Sequence, residues 1–151
     1  MSEIEVTLRE ITAETLRPIL ALEVAPTQRN FVAPNAVSIA EAHFHDHAWF
    51  RAIYAGDTPV GFVMFSLDPA HDAAYLWRYM IGAEHQGRGY GRRALELTIA
   101  HMQATTDATH VLTSYVPGDG SAGGFYLALG FEETGELEGI ERVMRLRLPR
   151  A

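Results

Sequence analysis

The sequence contains no cysteine. That excludes disulfides, thiolate metal sites and a cysteine nucleophile, and it fits a reducing compartment. Lysine is missing too, since all 12 basic residues are arginines; neither a Walker phosphate loop with its lysine nor a Schiff base is available. Positive charge is in deficit, 12 Arg against 19 Asp plus Glu, for a net charge of −7 with histidine neutral. Such a surface repels nucleic acid and anionic lipid on average and attracts cations. No apolar run approaches the roughly 18 residues that a membrane span needs. The start, Met1-Ser2-Glu3-Ile4-Glu5, lacks the basic end and apolar stretch of a signal peptide. A cytoplasmic protein with no membrane and no nucleic-acid partner is expected. What is present, 151 residues with 48% hydrophobic and 21% charged, suits one soluble domain over residues 1–151.

Ile4–Arg9 alternates apolar and polar residues and reads as an opening strand. A helix is expected around Leu16–Glu23, with Thr15 as its cap and Pro18 in its first turn. Ala25–Asn35, with two prolines and two asparagines, reads as a loop. Ser38-Ile39-Ala40-Glu41 matches a capping box opening a short helix towards His47. Trp49–Tyr54, Val60–Leu67 and Ala73–Ile81 are rich in aromatic and branched residues and separated by turn signals, which predicts an antiparallel meander. After Gly82 the period becomes helical, with a helix from about Gly89 to Gln103. A strand His110–Tyr115, a helix Ala122–Leu129 stopped by a left-handed Gly130, and closing strands Phe131–Gly135 and Arg142–Leu148 complete the pattern. The fold class expected is α/β, with a mixed, mostly antiparallel sheet of six to seven strands and about four helices.

The most informative stretch is Gln86-Gly87-Arg88-Gly89-Tyr90-Gly91-Arg92-Arg93, between the strand ending at Ile81 and the helix after it. Alternating glycines let main chain approach a ligand and aim successive N–H groups into one concavity. A helix N-terminus and three arginines add positive potential. A pyrophosphate site is the physical reading. The spacing Gly-x-Gly-x-Gly is not the dinucleotide fingerprint Gly-x-Gly-x-x-Gly, and the next strand ends at Tyr115 without a carboxylate. Three glycines flanked by three arginines exceed what a tight turn requires. His43-Phe44-His45-Asp46-His47 offers a histidine pair four apart, but no second cluster supplies further ligands, so no metal is expected.

The glycine stretch resembles the Gln/Arg-x-x-Gly-x-Gly/Ala signature of the GCN5-related N-acetyltransferases. Phe125-Tyr126-Leu127-Ala128-Leu129-Gly130-Phe131 resembles that family's second signature, a tyrosine followed four residues later by Gly-Phe. Ala25–Val32, Leu76–Ile81 and Ser114–Gly118 are similar to the bacterial spermine/spermidine acetyltransferase branch.

The resemblance implies acetyl-coenzyme A as co-substrate. Its pyrophosphate would lie on the amides of Gly87, Arg88, Gly89, Tyr90, Gly91 and Arg92, beside Gln86, with its pantetheine arm along Tyr79, Met80 and Ile81. With no cysteine for an acetyl-enzyme, an amine is expected to attack the thioester directly in a ternary complex. Tyr126 is the candidate general acid, since a phenol of pKa about 10 can protonate a thiolate; core packing is the competing explanation. For the base, Glu23, Glu41 and Glu84 border the substrate side in the family, and Glu23 is preferred. Trp77 and Tyr79 could supply rings to an extended cation. Asp119 stands where many relatives have an asparagine, keeping an acceptor and losing a donor. The expected acceptor is a polyamine. An aminoglycoside, a peptide N-terminus and a non-catalytic acyl-coenzyme A module are the alternatives, and a homodimer is possible.

Overall fold

Among the described residues, seven strands form one sheet in the order β1-β2-β3-β4-β5-β7-β6. The computed structural model describes residues 4–29, 33–118 and 121–149. The elements run β1 (Val6–Arg9), α1 (Leu16–Leu20), α2 (Asn35–His43), β2 (Ala48–Ala55), β3 (Thr58–Ser66), β4 (Ala73–Ile81), α3 (Tyr90–Thr105), β5 (His110–Tyr115), α4 (Gly123–Ala128), β6 (Glu132–Glu138) and β7 (Glu141–Arg147). Every pairing is antiparallel except β4 with β5. That single parallel pair follows from the crossover through α3, because a helix between two strands returns the chain in the same direction. The expected α/β class, strand number and helix number all hold.

The sheet buries both faces. One face, with Val63, Phe65, Leu76, Val111 and Met144, packs against Leu95 and Met102 of α3 and Tyr126 of α4. The other, with Ala52, Phe62, Met64 and Met80, packs against Ile19 of α1 and Ile39 of α2. Alternation along β3 sends Val63 and Phe65 to one core and Phe62 and Met64 to the other, so this central strand is apolar on both sides.

Two helix starts differ from expectation. Thr15 does not cap α1: its Oγ1 accepts the N–H of Thr12, upstream, at 2.8 Å. Ser38 does not open α2, which starts three residues earlier at Asn35 behind Pro34. Ser38 is fully buried inside the helix, and its hydroxyl has no partner among the described residues. Asn35 explains the earlier start, since its amide donates to the Ile19 carbonyl at 2.9 Å and ties α2 to the end of α1. Helix α1 stops at Leu20 rather than Glu23, and the Glu23 carbonyl instead accepts the N–H of Ala83 at 2.7 Å. A 3-10 turn, Pro26–Gln28, interrupts the expected loop. β4 and β5 match their expected bounds, and Gly130 is left-handed with φ 99°.

One irregularity shapes the rest. β3 pairs with β4 as Met64↔Arg78 and then Phe65↔Leu76, leaving Trp77 as an extra residue in β4. A bulge bends its strand. Beyond it β4 follows β3, whereas β5 stays paired with β7 along its whole length. The β4–β5 ladder therefore ends at Leu76↔Thr113, and the sheet opens into a wedge.

Candidate active site

The wedge exposes the main-chain edge of β4 from Trp77 to Ile81. It opens into a cavity of about 990 Å³ that passes between the strands and reaches both faces of the sheet. On the α3/α4 face it is lined by Gln86, Gly87, Gly89, Tyr90, Gly91, Arg92, Phe125 and Tyr126; on the other by Tyr75, Trp77, Ser114, Glu138 and Glu141.

The glycines of the loop do different jobs. Gly87 and Gly89 have φ of 78° and 82°, and a Cβ at either would meet nothing within 4 Å. Both are needed for a left-handed backbone that L side chains resist. Gly91 is helical, and a Cβ there would lie 3.3 Å from Ile81 Cγ1, so it lets α3 sit down on β4. Gly89 takes the N-cap position without a capping side chain, and the first N–H to bond back is that of Arg93, to the Gly89 carbonyl at 3.1 Å. The N–H groups of Tyr90, Gly91 and Arg92 thus precede the helix ladder and face the cavity mouth, a ready anion site.

The surrounding side chains hold this loop. Gln86 Nε2 donates to the Ile81 carbonyl and to Gln28 Oε1, each at 2.8 Å, strapping the Pro26–Gln28 turn to the end of β4. The Tyr79 hydroxyl donates to the Gly91 carbonyl, and its ring stacks on Phe125 at 5.9 Å. Burial, with the neighbouring Tyr126 adding to it, holds the Tyr79 phenol well above the usual tyrosine range. Arg92 and Arg93 both reach Glu96, at 3.4 and 3.5 Å. These pairs are exposed and worth about 0–1 kcal/mol.

Tyr126 stands at the apex of the wedge. It is 5% exposed, packed between Phe125 and Phe131, with the Thr113 hydroxyl beside it. Thr113 Oγ1 donates across the last strand pair to the Leu76 carbonyl at 3.2 Å. Burial raises the Tyr126 phenol to about 12, and the Thr113 hydrogen bond offsets part of that. The phenol is thus a weaker acid than an ordinary tyrosine of pKa about 10, and one that keeps its proton across the neutral range.

The other expectations divide. Tyr79, Met80 and Ile81 line the cavity with all the loop residues named above, but Arg88 is exposed and does not line it. Glu23 adjoins the cavity and does not line it. Its side chain is 75% exposed and pairs at 3.7 Å with Arg29, which does line the cavity. Glu84 is exposed and Glu41 is paired with Arg78 at 3.3 Å; neither lines the cavity. Tyr79 belongs to the α3/α4 core, so its ring is not on the face of Glu138 and Glu141, whereas the bulged Trp77 packs on the opposite core against His45. Asp119 and residues 30–32 lie outside the described residues. Among those described, no histidine and carboxylate cluster suited to a metal is found, and no helix is long and apolar enough to cross a membrane. The carboxylates that do line the cavity, Glu138 and Glu141, were not singled out from sequence. The available signal was the density of glutamates around Gly139.

A mixed sheet that parts beside a helix N-terminus of free amides has the anion site and the open strand edge that an acyl-coenzyme A would need. Comparison with known proteins gives the same class. The acetyltransferase (GNAT) family profile matches residues 10–131, and the chain belongs to that family of acetyl-coenzyme A-dependent N-acetyltransferases. It is similar to the spermine/spermidine N(1)-acetyltransferase of Bacillus subtilis (strain 168), with 26% identity over 140 residues, 88% of this chain and 91% of the relative. In fold it resembles the spermidine N-acetyltransferase of Vibrio cholerae, solved with coenzyme A and spermine, at TM-score 0.75, 18% identity and 95% coverage of each chain. It also resembles the PaiA N-acetyltransferase of Thermoplasma acidophilum, solved with coenzyme A, at TM-score 0.72, 15% identity and coverage of 95% and 99%.

Proposed function

We propose that this chain moves the acetyl group of acetyl-coenzyme A to a primary amine of a polyamine such as spermidine or spermine, by direct attack in a ternary complex. The single observation that carries the reading is the wedge itself: amides at one mouth, a buried phenol at the apex and carboxylates at the other mouth. In this reading the diphosphate sits on the N–H groups from Gly87 to Arg92 and the pantetheine lies along Tyr79, Met80 and Ile81. The thioester then meets Tyr126, which gives its proton to the departing thiolate. Glu138 and Glu141 and the rings of Tyr75 and Trp77 attract a flexible polycation, and the names of the relatives above support that acceptor class.

The test is release of free coenzyme A, followed with spermidine, spermine, an aminoglycoside and peptides with free N-termini. A kcat/KM at least about tenfold higher for the polyamines is expected. Turnover confined to the aminoglycoside or the peptides overturns the acceptor, and binding of coenzyme A without acetylation of any amine overturns the reaction.

A further inference from the structure

Acetyl transfer to an ammonium needs somewhere for protons to go. The nitrogen starts as R–NH3⁺ and ends as an amide N–H, so it sheds two protons as the N–C bond forms and the C–S bond breaks. One replaces the proton that Tyr126 gives to the thiolate. The other leaves the site. The expected base, Glu23, does not line the cavity.

We propose that Ser114, Tyr75 and Glu138 form a directed proton wire that takes the acceptor's proton on the face of the sheet opposite Tyr126. The inference rests on the acetyl-transfer reading above and adds its missing base.

The direction of the wire follows from counting protons. The Tyr75 hydroxyl donates to Glu138 Oε2 at 2.9 Å. A carboxylate only accepts, and a phenol has one proton, so that proton is committed to Glu138. Tyr75 and Ser114 are also 2.9 Å apart; across that contact the donor is therefore Ser114. Its own proton being spent, Ser114 Oγ offers the site a lone pair. An amine N–H donating there completes the chain N–H → Ser114 → Tyr75 → Glu138. Glu138 is exposed and hands the proton to water. Ser114 Oγ can instead donate to Glu141 Oε1 at 3.4 Å; having one proton, it gives it in the wire to the closer Tyr75 oxygen at 2.9 Å, and Glu141 is the competing acceptor.

Position supports the assignment. Thr113 and Ser114 are consecutive on β5, at the last β4–β5 pair and the first unpaired residue. Strand alternation sends Thr113 to the Tyr126 face and Ser114 to the other. Likewise Leu76 belongs to the α3/α4 core and Tyr75 does not. A thioester lodged in the wedge would have the acid on one side of its carbonyl carbon and the wire on the other. Burial and the Glu138 contact push the Tyr75 phenol up to about 12, so it stays neutral and carries a proton without losing one. The titratable groups around the wire are Tyr75 from β4, Glu138 from β6 and Glu141 from β7, with Tyr115 of β5 and His85 also on the cavity wall. Arg29 and the Glu41-paired Arg78 also line the cavity.

The experiment is the pH profile of kcat/KM for spermidine in wild type, Ser114→Ala and Tyr75→Phe, with circular dichroism and Tm showing that each folds. A wild type with the wire uses the bound ammonium, whereas a variant must wait for amine that is already neutral. At neutral pH both variants should be at least about tenfold down, and the deficit should close as pH nears the amine's own pKa of about 10. A deficit equal at every pH, or none, overturns the wire. A wild type that consumes no thioester overturns the acetyl-transfer reading and the wire together. Turnover with an unaltered variant profile overturns the wire alone.

Discussion

Replacing Tyr126 by Phe separates chemistry from packing, because the structure gives the two roles different magnitudes. The ring contacts, 5.6 Å to Phe125 and 5.3 Å to Phe131 between centroids, survive the change. Only the hydroxyl is lost. Thr113 keeps the Leu76 carbonyl as its acceptor at 3.2 Å, so no buried donor is orphaned. The expected stability change is therefore within about 1 kcal/mol, the net worth of one neutral hydrogen bond. Loss of a general acid removes about 10²–10⁴ in rate, or roughly 3–5 kcal/mol of barrier. The assay is thiol release at saturating spermidine and acetyl-coenzyme A, with a thermal melt of the same preparation. A kcat within about threefold of wild type at unchanged Tm would refute the acid and leave Tyr126 as a core residue.

The same phenol predicts alkaline sensitivity. Its folded pKa of about 12 exceeds the ordinary 10.0, so the stability it contributes is full below about pH 10 and is lost as pH rises towards 12. Two units correspond to about 3 kcal/mol, and urea midpoints at about pH 9 and 11.5 should converge less steeply in Tyr126→Phe; an unchanged slope would contradict this. Gly61→Ala should be severely destabilising, since its Cβ would sit 2.4 Å from the Met80 carbonyl oxygen, and a Tm within a few degrees of wild type would refute it. Gly87→Ala should lower stability by about 1 kcal/mol or slightly more through its φ of 78° alone, and weaken coenzyme A binding, as read by calorimetry. Glu96→Ala should free Arg92 and Arg93 and tighten the Kd for coenzyme A by a few-fold; an unchanged Kd would show that these arginines stay away from the diphosphate.

How much of this was legible before folding depends on range. β4 and β5 are apolar runs bounded by turn residues, and their limits could be read from the chain. So could the glycine turn, because φ > 0 and helix capping are properties of a few adjacent residues. Helix α1 ends three residues before Glu23, where local periodicity would carry it, because the chain yields to a tertiary hydrogen bond between the Glu23 carbonyl and the Ala83 N–H. Local propensity holds no information about that bond. Glu138 was missed for a related reason. β6 is an exposed edge strand with no clean alternation, running through Gly135 to Glu138, and its Glu133–Leu137 segment is itself irregular against β7.

Nothing near Trp77 marks a bulge either, there being neither glycine nor proline beside it. Yet that one extra residue parts β4 from β5, and with the parting come the cavity, the apex position of Tyr126 and the meeting of Tyr75 with Ser114 and Glu138. A glycine signature can thus announce the cofactor, because anion binding is a main-chain property of a short segment. Acceptor and base are set by register across three strands far apart in sequence, and register is decided only when the whole sheet has formed.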